Sequence, residues 1–355
     1  MAKASMIKVF DGHNDVLLRL YKAGDMDGRT FFEQGETGDL DLPRALKGGF
    51  AGGFFAVYIP PDASVGEEGI AALRANMEKG ALPPALDFEY AHRTAIGMMA
   101  LLFRLEAGSG GKVKVVRSVD ELSACLSSGV MAAICHFEGA EAIDADLNAL
   151  EVYYKAGLRS LGPVWSRPTI FAEGVPFRFP HSPDTGPGLT DLGKALVKEC
   201  NRLGIMLDMS HLNEKGFWDV AKLTDAPLVA THSNVYALCA ATRNLTDKQL
   251  DAIKESDGMV GLNFGCGFLR DDGESNADTP LDVLVRHIDY LVERLGIDRV
   301  GLGSDFDGAT MPLELSDVSK LPNLITRLGK SGYDKASLRK LGHENWVRVL
   351  SKTWK

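Results

Sequence analysis

Eight short apolar runs, each closing on Gly, His, Asp or Glu and separated from the next by a segment of helical periodicity, constrain this chain more than any other feature. They are MIKVFDGHND near residues 6–13, GFAGGFFAVYI near 52–59, VMAAICHFEG near 130–137, GLRSLGPVW near 157–165, GIMLDMSH near 204–210, PLVATHS near 227–232, GMVGLNFG near 258–264 and RVGLGSDFDG near 299–305. Runs of this length bounded by turn residues read as buried strands, and their alternation with helical patterns is what βαβ units produce. TDLGKALVKECNRLG offers Thr190 as a helix N-cap with Leu192, Leu196 and Leu203 on one apolar face, and PLDVLVRHIDYLVERLG has the same character. Eight strands alternating with helices in 355 residues fit an α/β fold of the (β/α)8 TIM-like barrel type, in which working groups stand at the C-terminal ends of the strands. A doubly wound sheet is the competitor. No G-x-G-x-x-G follows the first run, so its dinucleotide-binding form loses support. Glycine, at 38 of 355 residues, suits a fold with many tight strand-to-helix turns.

No repeat, low-complexity tract or linker divides the sequence, which predicts one domain over residues 1–355. Two segments depart from the alternation. Residues 60–125 read as a helical insertion, and residues 166–190, with five prolines and little periodicity, read as an ordered lid-like loop over the barrel mouth. The net charge of -9 without a Lys/Arg cluster argues against nucleic acid or an anionic membrane as partner. No run approaches 18 uninterrupted apolar residues. The five cysteines are scattered, with no C-x-x-C pair, and are expected to be buried reduced thiols. Candidate metal ligands within the first 15 residues would be lost to signal cleavage, so a cytoplasmic location is expected.

The polar groups that end the runs carry the chemistry. His13 and Asp15 are two apart and point to the same side of a strand end. Glu138 follows His136 by two, so it keeps the inward parity of a segment fit for burial, where a carboxylate needs a partner. His211 and His232 end the fifth and sixth runs, and Asp305 ends the eighth. Any one of them alone reads as a helix cap or a satisfied core group; six such groups ending five runs do not. Five N/O ligands, His13, Asp15, Glu138, His211 and His232, exceed one tetrahedral zinc with an open position and suit two metals. Glu138 would bridge, with His13 and Asp15 completing one ion and His211 and His232 the other. Two cations lower the pKa of a shared water toward neutrality, which implies hydrolysis of an amide. Asp305 is then placed as general base, with Asp307 second, and Arg243, eleven residues after His232, within reach of a substrate carboxylate.

With these residues in place the chain resembles the membrane dipeptidase (renal dipeptidase) family of the amidohydrolase superfamily. The resemblance spans nearly the whole chain and rests on DGHND, HFEGAEAI, GLTDLGKALVKECNRLGIMLDMSHLN, VATHSNVYAL, TRNLTDKQL, VGLNF and GLGSDFDG, in that order. It implies a (β/α)8 barrel holding two zinc ions on the five ligands, Asp305 as proton shuttle, and Arg243 on the C-terminal carboxylate of a dipeptide. It further implies substrates with a free L-amino terminus, often with a D-residue at the C-terminal position, and a homodimer. Two positions depart from the family's pattern. Trp165 stands where a substrate-contacting histidine is expected, and Gly265 where a tyrosine is expected. Trp165 is read as a wall of the side-chain pocket, with Arg167 beside it as a substrate-binding residue. A binuclear hydrolase of another small amide, such as an N-acyl amino acid, is the alternative activity.

Overall fold

The computed structural model describes residues 6–355. Strands β1 (Val9–Asn14), β2 (Phe50–Val57), β3 (Val113–Val115), β4 (Met131–Glu138), β5 (Leu158–Gly162), β6 (Met206–Leu207), β7 (Val229–Ala230), β8 (Met259–Leu262) and β9 (Val300–Leu302) form one parallel sheet in the order β6-β5-β4-β2-β1-β9-β8-β7. The ends of that order meet through a parallel bridge between Asp208 and Val229 and a Met209 N–H that donates to Val229 O at 2.9 Å. The circuit is thus a (β/α)8 barrel, and each of the eight apolar runs supplies one of its strands. β3 is additional: it pairs with β4 outside the circuit. It lies inside the segment read as a mostly helical insertion, between helices Phe88–Gly108 and Val119–Ser128. Three residues with Lys114 at the centre give no periodicity to read.

Two apolar layers fix the barrel. Phe10, Phe54, Ile134, Met206, Val229 and Met259 pack together with Trp346, Val349 and Leu350 of the C-terminal helix Asn345–Thr353. The Trp346 indole N–H donates to Leu302 O at 3.2 Å, and its ring lies where a Cβ on Gly12 or Gly261 would stand, so those strands need glycine there. The larger layer lies between strands and outer helices. Helix Asp191–Leu203 shows how the sequence directs this: Thr190 Oγ1 accepts from Gly193 N–H at 3.0 Å as N-cap, and Leu196, Val197, Cys200 and Leu203 are buried. Leu192, expected on that face, is 37% exposed; Gly193 takes the inward position because Phe171 O approaches too closely for a side chain. All five cysteines are buried and unpaired.

Candidate active site

The strand tops bring His13, Asp15, Glu138, His211, His232 and Asp305 into one buried cluster. His13 closes β1, and its Nε2 lies 3.4 Å from Asp15 Oδ2 and 3.6 Å from Glu138 Oε2. The other Glu138 oxygen, Oε1, lies 2.9 Å from His211 Nε2 and 3.7 Å from His232 Nε2. The two histidine Nε2 atoms face each other at 3.1 Å, and the His13 ring stacks on His232 at 3.9 Å between centroids. Donor atoms of His13, Glu138 and His232, and separately of His13, Asp15 and Asp305, lie within 4.8 Å of one another. Asp305, assigned no cation from the sequence, therefore stands beside His13 and Asp15.

Electrostatics describe a pocket with too much acid for its protein cations. Burial pushes the Glu138 carboxyl well above the usual range, opposed by His13 and reinforced by Asp15 and Asp305. Burial acts against charging His13, yet Glu138, Asp15 and Asp305 push its imidazole up to about 10. Burial holds His211 and His232 well below the ordinary histidine value, so both keep neutral nitrogens. Among the described residues neither His13 nitrogen has a hydrogen-bond partner, although both are buried. Orphaned imidazole nitrogens facing buried carboxylates are a donor set suited to divalent cations.

The remaining ring nitrogens are fixed from behind. Ser166 Oγ lies 2.9 Å from His211 Nδ1, and Thr231 Oγ1 lies 2.8 Å from His232 Nδ1 while donating to Asp208 Oδ2 at 2.6 Å. The hydroxyl proton being committed to Asp208, Thr231 accepts from His232 Nδ1–H and leaves Nε2 as the free lone pair. Asp208 also accepts from Ser210 N–H, Ser210 O–H and Thr231 N–H. Asp305 has a left-handed backbone (φ 64°), its N–H donates to His13 O at 3.0 Å, and its Oδ2 accepts from Asn263 Nδ2 at 2.8 Å. Gly308 is required where Asp15 and Asp305 converge, since a Cβ there would collide with both carboxylates.

Arg243 lies in the loop after β7, 3% exposed, with Nη1 donating to Ser210 O and Nη2 to His232 O at 3.2 Å. Burial brings its pKa down to about 10, so it is charged at neutral pH, and its Nε has no partner. Trp165 is half-buried, its ring 6.0 Å from His211, 5.1 Å from Tyr58 and 5.6 Å from Phe177. Arg167 differs from its sequence reading. At 1% exposure it donates to Ile59 O and Tyr58 Oη, both at 2.7 Å, sits 3.5 Å from Glu141, and stacks on Tyr58 and Trp165. It thus supports the wall from behind and does not face the pocket as a free binding group. Asp307 is likewise tied off, paired with Arg19 Nε at 3.1 Å and accepting from Asp39 N–H.

The loop 166–190 is ordered over this end. It bridges to Leu212 through Gly174, donates Val175 N–H to His211 O, and exchanges backbone bonds with Ala240 and Thr242. Sequence reasoning missed Tyr58, Asp208, Thr231 and Asn263. Strand parity alone could have signalled Tyr58; the partners of the others come from neighbouring strands.

A family profile described as membrane dipeptidase (peptidase family M19) matches residues 3–355. A metallo peptidase from Rhodobacter sphaeroides, solved with a phosphinate mimic of the dipeptide L-Ala-D-Ala, is 53% identical, with a TM-score of 0.95 over 99% of this chain and 100% of that one. A dipeptidase described as an M19 metallo peptidase is 52% identical, with a TM-score of 0.93 over 99% of both chains. An uncharacterized protein in the pqqA 5' region of Klebsiella pneumoniae is 51% identical over 256 residues, 72% of this chain and 94% of that protein.

Proposed function

The chain belongs to the membrane dipeptidase family, peptidase family M19, and is a metallodipeptidase; from that premise we propose that it holds two zinc ions and cleaves dipeptides with a free amino terminus, L-Xaa-D-Xaa among them. The observation that carries this reading is the split of Glu138, one oxygen facing His13 and the other facing His211 and His232. His13 and Asp15 would hold one ion, His211 and His232 the other, and Glu138 both. Such ions, when bound, polarise the scissile carbonyl and make water acidic enough to attack near neutral pH.

The protein's own groups do the rest. Asp305, oriented by Asn263, takes the proton of the attacking water and returns it to the leaving amine. Arg243, charged and with a free Nε, holds the substrate's C-terminal carboxylate. The 53% identity to a peptidase liganded with an L-Ala-D-Ala mimic supports the inclusion of L-Xaa-D-Xaa dipeptides. The same reading includes a homodimer, which sedimentation tests. It also includes a cytoplasmic location, supported by five unpaired buried cysteines; among the described residues no helix is long and apolar enough to cross a membrane.

Elemental analysis with a kinetic screen of L-Xaa-L-Xaa, L-Xaa-D-Xaa and N-acetylated dipeptides tests the proposal. It expects close to two zinc ions per chain, loss of activity on chelation, and poor cleavage of the N-acetyl forms. Glu138→Gln should bring the stoichiometry toward one; a variant that keeps both ions and full activity would remove the bridge. Preference for N-acetyl substrates would favour an N-acyl amino acid hydrolase.

A further inference from the structure

β2 is as long as β4, at eight residues, yet it gives nothing to the metal cluster. Its ladder with β4 pairs Ala56 with His136 and Val57 with Phe137, so the next residue, Tyr58, stands opposite Glu138 and shares its direction. Tyr58 is half-buried at the mouth, with its ring edge-on to Trp165. Its oxygen accepts the Arg167 guanidinium at 2.7 Å, while its proton has no acceptor among the described residues. The acceptor side of the phenol is thus occupied by a cation and the donor side is free.

We propose that Tyr58 is a catalytic residue that donates its O–H to the scissile carbonyl oxygen of the dipeptide as negative charge develops there, with Arg167 as the positioning residue that fixes and polarises the phenol. The inference rests on the dipeptidase reading above. A developing oxyanion is stabilised by a hydrogen-bond donor already in place, and a phenol can donate only while it keeps its proton. Burial pushes the Tyr58 phenol up; the Arg167 guanidinium opposes this, Glu138, Glu141 and Asp15 add to it, and the net direction is upward, so the O–H is retained at working pH. A hydrogen bond accepted from a guanidinium strengthens the one the phenol donates. The other free donors are placed differently: Arg243 is bound to Ser210 O and His232 O, and the Trp165 ring is enclosed by Tyr58, Phe177 and the Arg167 guanidinium. The proton stays on the phenol throughout, so no bond to it is broken.

Tyr58→Phe keeps the ring and removes the donor. In the zinc-loaded protein it should lower kcat on L-Ala-D-Ala by about 100-fold and leave KM within about threefold. The affinity of the phosphinate L-Ala-D-Ala mimic, measured by calorimetry, should fall by a similar factor, because that ligand imitates the tetrahedral state. Metal content should match the parent. A kcat within threefold of the parent, or a loss confined to KM, overturns the role. So does a Trp165→Phe variant that shows the 100-fold loss while Tyr58→Phe does not. Arg167 keeps Ile59 O and Glu141 in this variant; should Tyr58→Phe nonetheless unfold, the Tyr58→Phe/Arg167→Met/Glu141→Gln variant leaves neither charge buried alone and is judged by the same two criteria. If the parent itself cleaves no dipeptide, the proposed activity fails; if the parent cleaves and the variant equals it, only the role of Tyr58 fails.

Discussion

Glu138 and His211 stand 2.9 Å apart, yet they are held by different means. Glu138 ends β4, eight residues long and paired in unbroken register with β2 from Gly52–Ala132 to Val57–Phe137. His211 and His232 follow β6 and β7, which have two residues each and meet only at the Asp208–Val229 bridge. On the first side, a main-chain ladder sets the position of Glu138. On the second, side chains do: Asp208 accepts four hydrogen bonds that tie Ser210 to Thr231 across the seam, and Thr231 and Ser166 orient the two rings. Glu138 therefore depends less on neighbouring side chains than His211 and His232 do.

The sharpest way to break that contrast is Asp208→Ala. It removes the acceptor of four buried donors at once, and buried donors left unpaired cost about 1–3 kcal/mol each, so a destabilisation of about 4 kcal/mol or more is expected. The ion on His211 and His232 should be lost before the one on His13 and Asp15. Thermal melting and metal titration read both effects. Retention of two ions and an unchanged melting midpoint would mean that the backbone bridge alone holds the seam.

Asp305→Asn sharpens the comparison from the other direction, since it removes chemistry while leaving the scaffold. An asparagine oxygen can still accept from Asn263, so geometry and metals should persist. It cannot take a proton, and kcat should fall by two or more orders of magnitude, about 3 kcal/mol. Metal loss with activity restored by added zinc would instead make Asp305 a ligand, a role its closeness to His13 and Asp15 allows.

The contrast also explains what could be read from the sequence. The eight strands were legible because each is a short buried run ended by a polar group, and Glu138 was legible because it shares the parity of His136. Main-chain order projects onto sequence as periodicity. The side-chain order of the seam does not. Asp208 reads as one more polar residue of its run, because its partner Thr231 lies 23 residues on in the next strand. Arg167 reads as a residue of the mouth, because Ile59 and Tyr58, which engage its guanidinium, precede it by more than a hundred residues. Tyr58 reads as a core aromatic until the register with β4 turns it toward Glu138.

Arg243 belongs to the seam side and touches both of its ligand segments, through Ser210 O and His232 O. Arg243→Met should lower kcat/KM for dipeptides by about 2–3 kcal/mol as a buried charge-assisted pair is lost. C-terminally amidated dipeptides should show a similar loss in the parent, and the two losses should not add. If the variant loses metal as well, Arg243 is a support of the seam; if acid and amide substrates are discriminated equally by parent and variant, it does not hold the carboxylate.

The smallest effect is expected at Trp165, which lies on the loop after β5 and touches both halves, with its ring near Tyr58 on one side and His211 on the other. No backbone ladder or buried hydrogen bond depends on its side chain; its neighbours are aromatic rings and the flat face of Arg167. Trp165→Phe keeps an aromatic surface for that stack but shortens it, enlarging the space in front of His211. A change of pocket shape with no lost donor alters which side chains fit, by about 1–3 kcal/mol between dipeptides that differ in bulk. Turnover on small dipeptides should move by a few-fold at most, while bulky ones should gain relative to L-Ala-D-Ala. Parallel measurements of kcat and KM over a small series graded in side-chain volume decide the matter. A uniform hundredfold fall in kcat at intact metal content would make the indole N–H an oxyanion donor, and would place the catalytic hydrogen bond on the loop after β5 rather than at the end of β2.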